Sequence, residues 1–560
     1  MESQLRPLGE RVHTIFANLM SLGRHLKRSS QAEATKRESL PWELPPTWLR
    51  FLIIVLLVLG VFFRFVNLDR KVYWHDEVIT SLHLAGHIAD DLKPQVFTGE
   101  VIGVKDLQKY QHPTPQTSLM DTIDALVVED PQHPPLYYVL ARFWMQWFGS
   151  SVAVVRSVSA VISLLVFPCI YWLCLEVFDS SLVGWVAIAL VAVSPVHVVF
   201  AQEAREYSLL MVIILLSSAS LLRAIRINTK GSWLIYAATL ALGLYSLPLI
   251  ALTALGHATY VITTNGWRWS KTISGYLLAS VTGTLAFAPW ILLTFKSFQK
   301  AQETTAWSSS KVPLSRLVKS WAGNVSRVFF DINLDAGAFL LYTLIPVLIS
   351  LTLVIYSFYL LYKSPIKKSF LFVLTMIGVP ALALIVPDLI LGGLRSTVPR
   401  YLIPCYLAIL LAVAYLLAYQ IVSASLFQQK LWQVITIFVI SAGIVSCMVN
   451  SQSQVWWNKK PSNMHVQSAR IINKSDRPLL ITTFHGANPG ELLSMSYLLD
   501  PKVRLQLVVE PNIPKIPDNF SDVFVFNPTP ALKSGLETNY NSTVEPVEPS
   551  EILLWKLKKR

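Results

Sequence analysis

Apolar stretches of about 17 to 25 residues recur along the chain from Trp48 almost to Asn450. Each is long enough to cross a hydrocarbon core of about 30 Å as a helix. They predict spans near residues 48–68, 152–178, 182–200, 206–226, 232–247, 248–264, 271–295, 337–361, 369–387, 401–422 and 430–450. Residues 1–47 differ: they are polar and basic, with Leu8, Val12, Ile15, Phe16, Leu19, Leu22 and Leu26 at helical spacing. That pattern fits an amphipathic helix on a cytoplasmic membrane surface, and equally a partly ordered tail. From residue 451 onward the chain is polar and rich in Pro and Asn, and runs such as PLLITTF and SDVFVFN read as strands of a small α/β domain. The predicted fold class is an all-α polytopic membrane protein with about eleven transmembrane helices over 48–450 and a C-terminal α/β extramembrane domain over 451–560.

The short connections test this arrangement. Arg223, Arg226 and Lys230 fall in one, Arg268 and Lys271 in another, and Lys363, Lys367 and Lys368 in a third. All three alternate correctly with a cytoplasmic amino terminus, since cytoplasmic loops collect Lys and Arg. The alternation puts 69–150, 296–336, 388–400 and the tail outside. Within the first outer loop, QHPPLYYVLARFWMQWFG (Gln132 to Gly149) is apolar enough to pass for another crossing. A crossing there would move the basic loops outside, so it reads as an interfacial helix.

Composition agrees with a membrane class: 53% of residues are hydrophobic and 14% charged, against roughly 25% charged in a soluble domain. The net charge of +13 sits in particular loops rather than in a patch interleaved with aromatics, so no nucleic-acid partner is expected. Cys169, Cys174, Cys405 and Cys447 all lie in apolar runs and offer the polar segments no disulfide framework. The first apolar run follows about fifty residues and precedes no small-x-small site, as expected of an anchor rather than a cleaved signal.

The residues able to carry chemistry fall at one predicted boundary. In VYWHDEVITS, Tyr73, Trp74, His75, Asp76 and Glu77 precede a short amphipathic pattern, where Asp76 fits a helix cap as well as a site. SPVHVVFAQEAREYSLLM packs Glu203, Arg205, Glu206 and Tyr207 into one turn between spans. Arg156, and likewise Arg64, lie in apolar spans, facing a partner or snorkelling to the interface. Arg400 and Tyr401 open a late span, as phosphate ligands or as interfacial anchors. His133 precedes two prolines and suits a phosphate or a polar turn, while His83 and His87, spaced i, i+4, suit two metal ligands without a clear third.

With its D-E pair after the first span, H-P-P-L-Y-Y later in that loop, E-A-R-x-Y two spans on and R-Y-L-x-P opening a late span, the chain resembles the GT-C membrane glycosyltransferases. Within them it is similar to glycosyltransferase family 39, the protein O-mannosyltransferase and lipid A aminoarabinose transferase group. The resemblance implies a polyprenyl-phosphate sugar donor, a lipid, glycan or protein acceptor on the outer side, and an inverting displacement. It puts the general base on Asp76, an orienting role on Glu77, and a second acid on Glu206 or Glu203. Arg205, Arg400, Arg156 and His133 would stabilise the leaving phosphate, with Tyr73, Tyr207 and Tyr401 as further substrate contacts. No cofactor is assigned, and a divalent cation is left open. Two departures stand out: no β-trefoil insertion is present, and Arg205-Glu206 stands where the aminoarabinose transferases have leucine-aspartate. The expected location is a bacterial plasma (inner) membrane, with membrane lipids around the site. The alternative, a transporter or flippase of lipid-linked sugars, predicts charged or broken positions near mid-membrane.

Overall fold

The computed structural model describes residues 47–333, 340–423, 425–548 and 552–560. The amphipathic pattern of residues 1–46 lies outside the described residues.

Helices occupy the predicted spans, and their breaks are informative. Residues 152–178 form two consecutive helices, Val152–Leu164 and Val166–Phe178. The next span is broken by 64° into Ser181–Ala192 and Pro195–Ala201. Proline at position 195 lacks the N–H that would continue the ladder, so the last carbonyls of the first half need other donors. Arg64 supplies them, donating to Val191 O at 3.1 Å and Ala192 O at 2.9 Å, as well as to Gly60 O at 2.9 Å. Arg64 therefore neither snorkels nor faces a ligand; it is 1% exposed and caps a helix end inside the bundle. Gly60 permits the approach, because a Cβ there would lie 2.9 Å from that of Ala192.

By length and composition seven described helices can cross a membrane, or eight if the bent pair is one span. The expected spans at 48–68, 232–247 and 248–264 are the ones not among these. Lys230–Ser246 and Ile250–Thr264, with 17 and 15 residues, are too short to meet the same test because the chain breaks around Pro248. The Leu136–Phe148 helix has 13 residues, about 20 Å at 1.5 Å per residue, which is too short for a crossing. It packs on Val152–Leu164 and on the His75–Leu84 helix, leaving Trp147 and Phe148 exposed.

The C-terminal sheet has the strand order β1-β3-β2-β4-β6-β5. Its strands are β1 (Val101–Gly103), β2 (Pro478–Thr483), β3 (Arg504–Val508), β4 (Asp522–Phe526), β5 (Ser542–Pro546) and β6 (Leu554–Lys559). β2 runs parallel to β3 and β4, and the other pairs are antiparallel. β1 comes from the first loop, with Val101 opposite Gln506, so the sheet is not built from the tail alone. Alternation along the central strands then splits the core. Leu479, Ile481 and Val525 form a separate cluster with Leu532 and Leu536, while Leu480, Leu505 and Phe524 join the core continuous with the membrane helices. One face of the sheet is thus welded to the body.

Candidate active site

The chain leaves the Thr47–Phe65 helix, turns through residues 66–74 and starts a helix at His75. Trp74 is the N-cap residue and makes no side-chain cap bond; Asp76 and Glu77 occupy the first turn. They point different ways. Asp76 opens into a cavity of ≈ 900 Å³, while Glu77 is absent from its lining and fully buried.

The cavity gathers Asp76, His133, Arg205, Glu206, Tyr207, Arg400 and Tyr401 from elements far apart in the chain. Lys300 and Trp307 come from the 296–336 connection, and Leu247, Leu249 and Leu252 from the break around Pro248 give it an apolar side. Arg400 lies on a short 3-10 turn, Pro399–Leu402, leading into the Ile403–Ser423 helix. Its Nη1 is 3.3 Å from Asp76 Oδ2, and its guanidinium lies over the rings of Trp307 and Tyr401. Asp76 is therefore held by Arg400 from across the cavity rather than closed onto its own helix as a side-chain cap. Asp388, buried at the end of the Lys367–Ile390 helix, fixes the loop that carries Arg400 by accepting from Ser396 N–H at 2.7 Å and pairing with Arg395 at 3.2 Å.

Four expected contacts are corrected by burial. Glu77 accepts from Arg156 Nε and Nη2, both at 2.7 Å, from Ala204 N–H at 2.9 Å, and from Lys459. Arg156 has five N–H groups; two reach Glu77 and the others donate to the carbonyls of Leu68, Lys71 and Val72. It has no donor left for a phosphate. Tyr73 is buried, with its hydroxyl on Ser81 and its ring edge-on to Tyr497. Glu203 lies behind the cavity wall, accepting from Trp74 Nε1 at 2.9 Å and Asn458 Nδ2 at 3.1 Å.

Arg205 and His133 line the cavity but are committed to one another. Arg205 Nη2 is 3.0 Å from His133 Nε2, and His133 Nδ1 is 3.0 Å from Glu206 Oε1. This suits a neutral ring that donates from Nδ1 and accepts at Nε2. Arg205 also donates to Thr80 Oγ1 at 2.7 Å and Tyr138 OH at 3.3 Å. Arg400 and Lys300 are left as the cations facing the open space. The His83 and His87 pair is not realised, because the helix ends at Leu84 and His83 is buried against Glu129 at 2.9 Å.

The carboxylates divide by their surroundings. For Glu77, burial opposes ionisation, but Arg156 and Lys459 outweigh it and bring the group down to about 2. Burial likewise works against Glu206, yet Arg205 and His133 hold it near 2. For Glu203 burial, with the nearby Glu77 and Asp76 charges, outweighs the pull of Lys459 and the Asn458 hydrogen bond and pushes it up to about 7.

The sequence offered no periodicity that would single out Lys459, Asn458 or Lys300. Nor did it indicate that Glu491, on the Asn488–Ser496 helix, would sit 3.2 Å from His75 and 2.8 Å from His465. His75 packs so closely on that helix that a Cβ at Gly490 would lie 2.4 Å from its ring.

Residues 132–293 match the family model for dolichyl-phosphate-mannose-protein mannosyltransferase. The match falls in the group that the loop motifs resemble. It contains HPPLYY and EAREY, whereas the D-E pair and RYLIP lie outside it. The chain is thus similar to membrane glycosyltransferases of the GT-C type. Among solved structures it is similar to ArnT from Cupriavidus metallidurans bound to undecaprenyl phosphate, at 14% identity over 92% of this chain and 98% of that one, TM-score 0.49. The Archaeoglobus fulgidus oligosaccharyltransferase aligns at 11% identity over 83% of this chain, which spans 64% of that chain's length, TM-score 0.43. The S. cerevisiae protein O-mannosyltransferase Pmt1-Pmt2 complex bound to the sugar donor aligns at 15% identity over 46% and 35%, TM-score 0.30. Comparison with curated proteins finds no match.

Proposed function

We propose that this protein transfers a sugar from a polyprenyl-phosphate donor to a hydroxyl or amine acceptor at the outer face of the plasma membrane, with inversion and with Asp76 as general base. The observation that carries this reading is the division of the acid pair: Asp76 opens into a cavity beside Arg400, while Glu77 is sealed behind it. Arg400 and Lys300 attract the donor phosphate, and the apolar side at Leu247, Leu249 and Leu252 suits the first isoprenoid units. The acceptor heteroatom bonds to the anomeric carbon as the bond to the phosphate oxygen breaks. The electron pair leaves on the polyprenyl phosphate and the acceptor proton goes to Asp76. Positive charge at the leaving group is the electrostatic term that usually dominates such steps, and a base within reach of the acceptor adds on the order of 10² to 10⁴. Glu77, Arg156 and Lys459 act as positioning residues for the helix that presents Asp76, and the 451–560 segment acts as part of the site's frame.

The transporter reading draws on the 64° helix break. The carbonyls freed there are covered by Arg64, which leaves no open backbone for a ligand. The deciding experiment is transfer or hydrolysis of radiolabelled polyprenyl-phosphate sugars by purified wild type and Asp76→Asn, with donor binding measured alongside. Loss of turnover with binding retained supports the proposal; equal turnover refutes the base assignment, and binding without turnover in either protein favours transport.

A further inference from the structure

Glu206 and Tyr207 carry an unusual residue of unused hydrogen-bonding capacity. Glu206 is 0% exposed and Tyr207 1% exposed, and both line the cavity. Oε1 of Glu206 is occupied by His133 and Arg205, yet Oε2 has no partner among the described residues, and neither has the Tyr207 hydroxyl. The Tyr207 ring is packed edge-on against Phe200 at 5.2 Å, so its position is set by the ring and not by its hydroxyl. Buried polar atoms in native proteins are almost always paired, and a vacant acceptor costs about 1 to 3 kcal/mol. Two such atoms on consecutive residues of one cavity wall point to a ligand that brings hydroxyl groups.

We propose that Glu206 Oε2 and Tyr207 OH form the subsite that recognises hydroxyl groups of the transferred sugar. This deepens the glycosyltransferase reading and rests on it. Location supports a sugar over a phosphate. Arg205, which braces Glu206, also lies 3.4 Å from the Asp76 carbonyl and 5.9 Å from the Tyr207 ring. Both residues line the cavity that Asp76 and Arg400 also line, and a donor whose phosphate draws Arg400 away from Asp76 brings its sugar ring beside them. An ionised Glu206 accepts hydrogen bonds only, and repels a phosphate. The tyrosine hydroxyl can accept or donate, so the pair fits a vicinal diol.

The test is equilibrium binding to the full chain in nanodiscs of undecaprenyl phosphate and of its mannosyl, glucosyl and aminoarabinosyl esters. Wild type is expected to bind at least one sugar ester more tightly than the bare lipid. Tyr207→Phe is expected to lose about tenfold in affinity for that ester, one neutral hydrogen bond, and to bind the bare lipid as wild type does. Glu206→Gln is expected to lose about thirtyfold, as a charged acceptor implies. A donor lacking the recognised hydroxyl binds wild type and Tyr207→Phe equally. Tyr207→Phe removes a hydroxyl with no protein partner, so its thermal midpoint is expected to hold or rise while sugar binding falls. Equal losses for bare and sugar-bearing lipid, no loss in either variant, or no preference of wild type for any sugar ester would each overturn the subsite. Failure of the glycosyltransferase reading appears separately, as retained binding differences without transfer or hydrolysis.

Discussion

Adjacent carboxylates with opposite surroundings should give opposite phenotypes. Replacing Glu77 by Gln removes the anion that pairs with two fully buried cations, Arg156 and Lys459. Their separation and burial leave them without a counter-ion in a low-dielectric interior, and breaking a buried pair in this way costs about 3 to 5 kcal/mol. The lost Arg156 bonds also release the anchor on the 68–72 carbonyls, and with it the start of the Asp76 helix. Asp76→Asn acts on a side chain that is 24% exposed and paired at 3.3 Å with a partner 23% exposed, a pair worth at most about 1 kcal/mol. Thermal unfolding of the purified variants should therefore show Glu77→Gln lowered by roughly 5 to 10 °C and Asp76→Asn close to wild type. Transfer assays should show Asp76→Asn inactive and Glu77→Gln with residual turnover at low temperature. A Glu77→Gln protein as stable as wild type but inactive would refute the division, and so would an Asp76→Asn protein as unstable as the Glu77 variant.

Three further outcomes follow from the same geometry. Glu203 is raised from 4.5 to about 7 by burial, so the stability tied to its neutral form is full below pH 4.5 and lost as pH rises through 7; Glu203→Gln should gain up to roughly 3 kcal/mol over wild type at pH 8 and nothing at pH 4, read from unfolding midpoints across pH. Asn458 accommodates the amide by presenting its unpartnered Oδ1. Gly393 has φ +151° and a Cβ there would meet Asp388 Oδ1 at 2.4 Å, so Gly393→Ala should displace the Arg400 loop and lower transfer by about 10²-fold, read from the transfer assay. Lys459→Met leaves the Glu77–Arg156 pair whole and should destabilise less than Glu77→Gln, a ranking checked in one denaturation series.

The apolar runs made the helical body legible because membrane burial writes itself into sequence as length and composition. The motifs HDE, EAREY and RY were legible as candidates for a different reason: charge near a membrane boundary is costly and conspicuous. Which side of a wall each charge occupies was not legible. Arg156 and Arg400 look alike as lone arginines in apolar context, and only the fold reveals that one satisfies three carbonyls while the other faces open space. Pro248 splits an apolar stretch into helices of 17 and 15 residues, shorter than the usual crossing. Lys459 lay in the polar segment after the last span, where no spacing rule ties a residue to a partner 382 positions away.

A helix turns about 100° per residue, so consecutive side chains in its first turn diverge, and here Asp76 lines the cavity while Glu77 does not. That geometry explains the D-E pair better than two catalytic acids would. Asp76 is directed at Arg400 and the open space, and Glu77 is carried round to Arg156, Ala204 and Lys459. The anchor must be strong because the helix has only 10 residues and no side-chain N-cap bond. Its ends are instead tied to three other parts of the chain: the first-loop carbonyls through Arg156, the EAREY turn through Ala204, and the tail through Lys459 and Glu491. Since β1 of the same loop is an edge strand of the C-terminal sheet, the tail shapes the position of Asp76 from two directions. A chain cut after the last span would therefore lose the frame that holds its base as well as an outer domain.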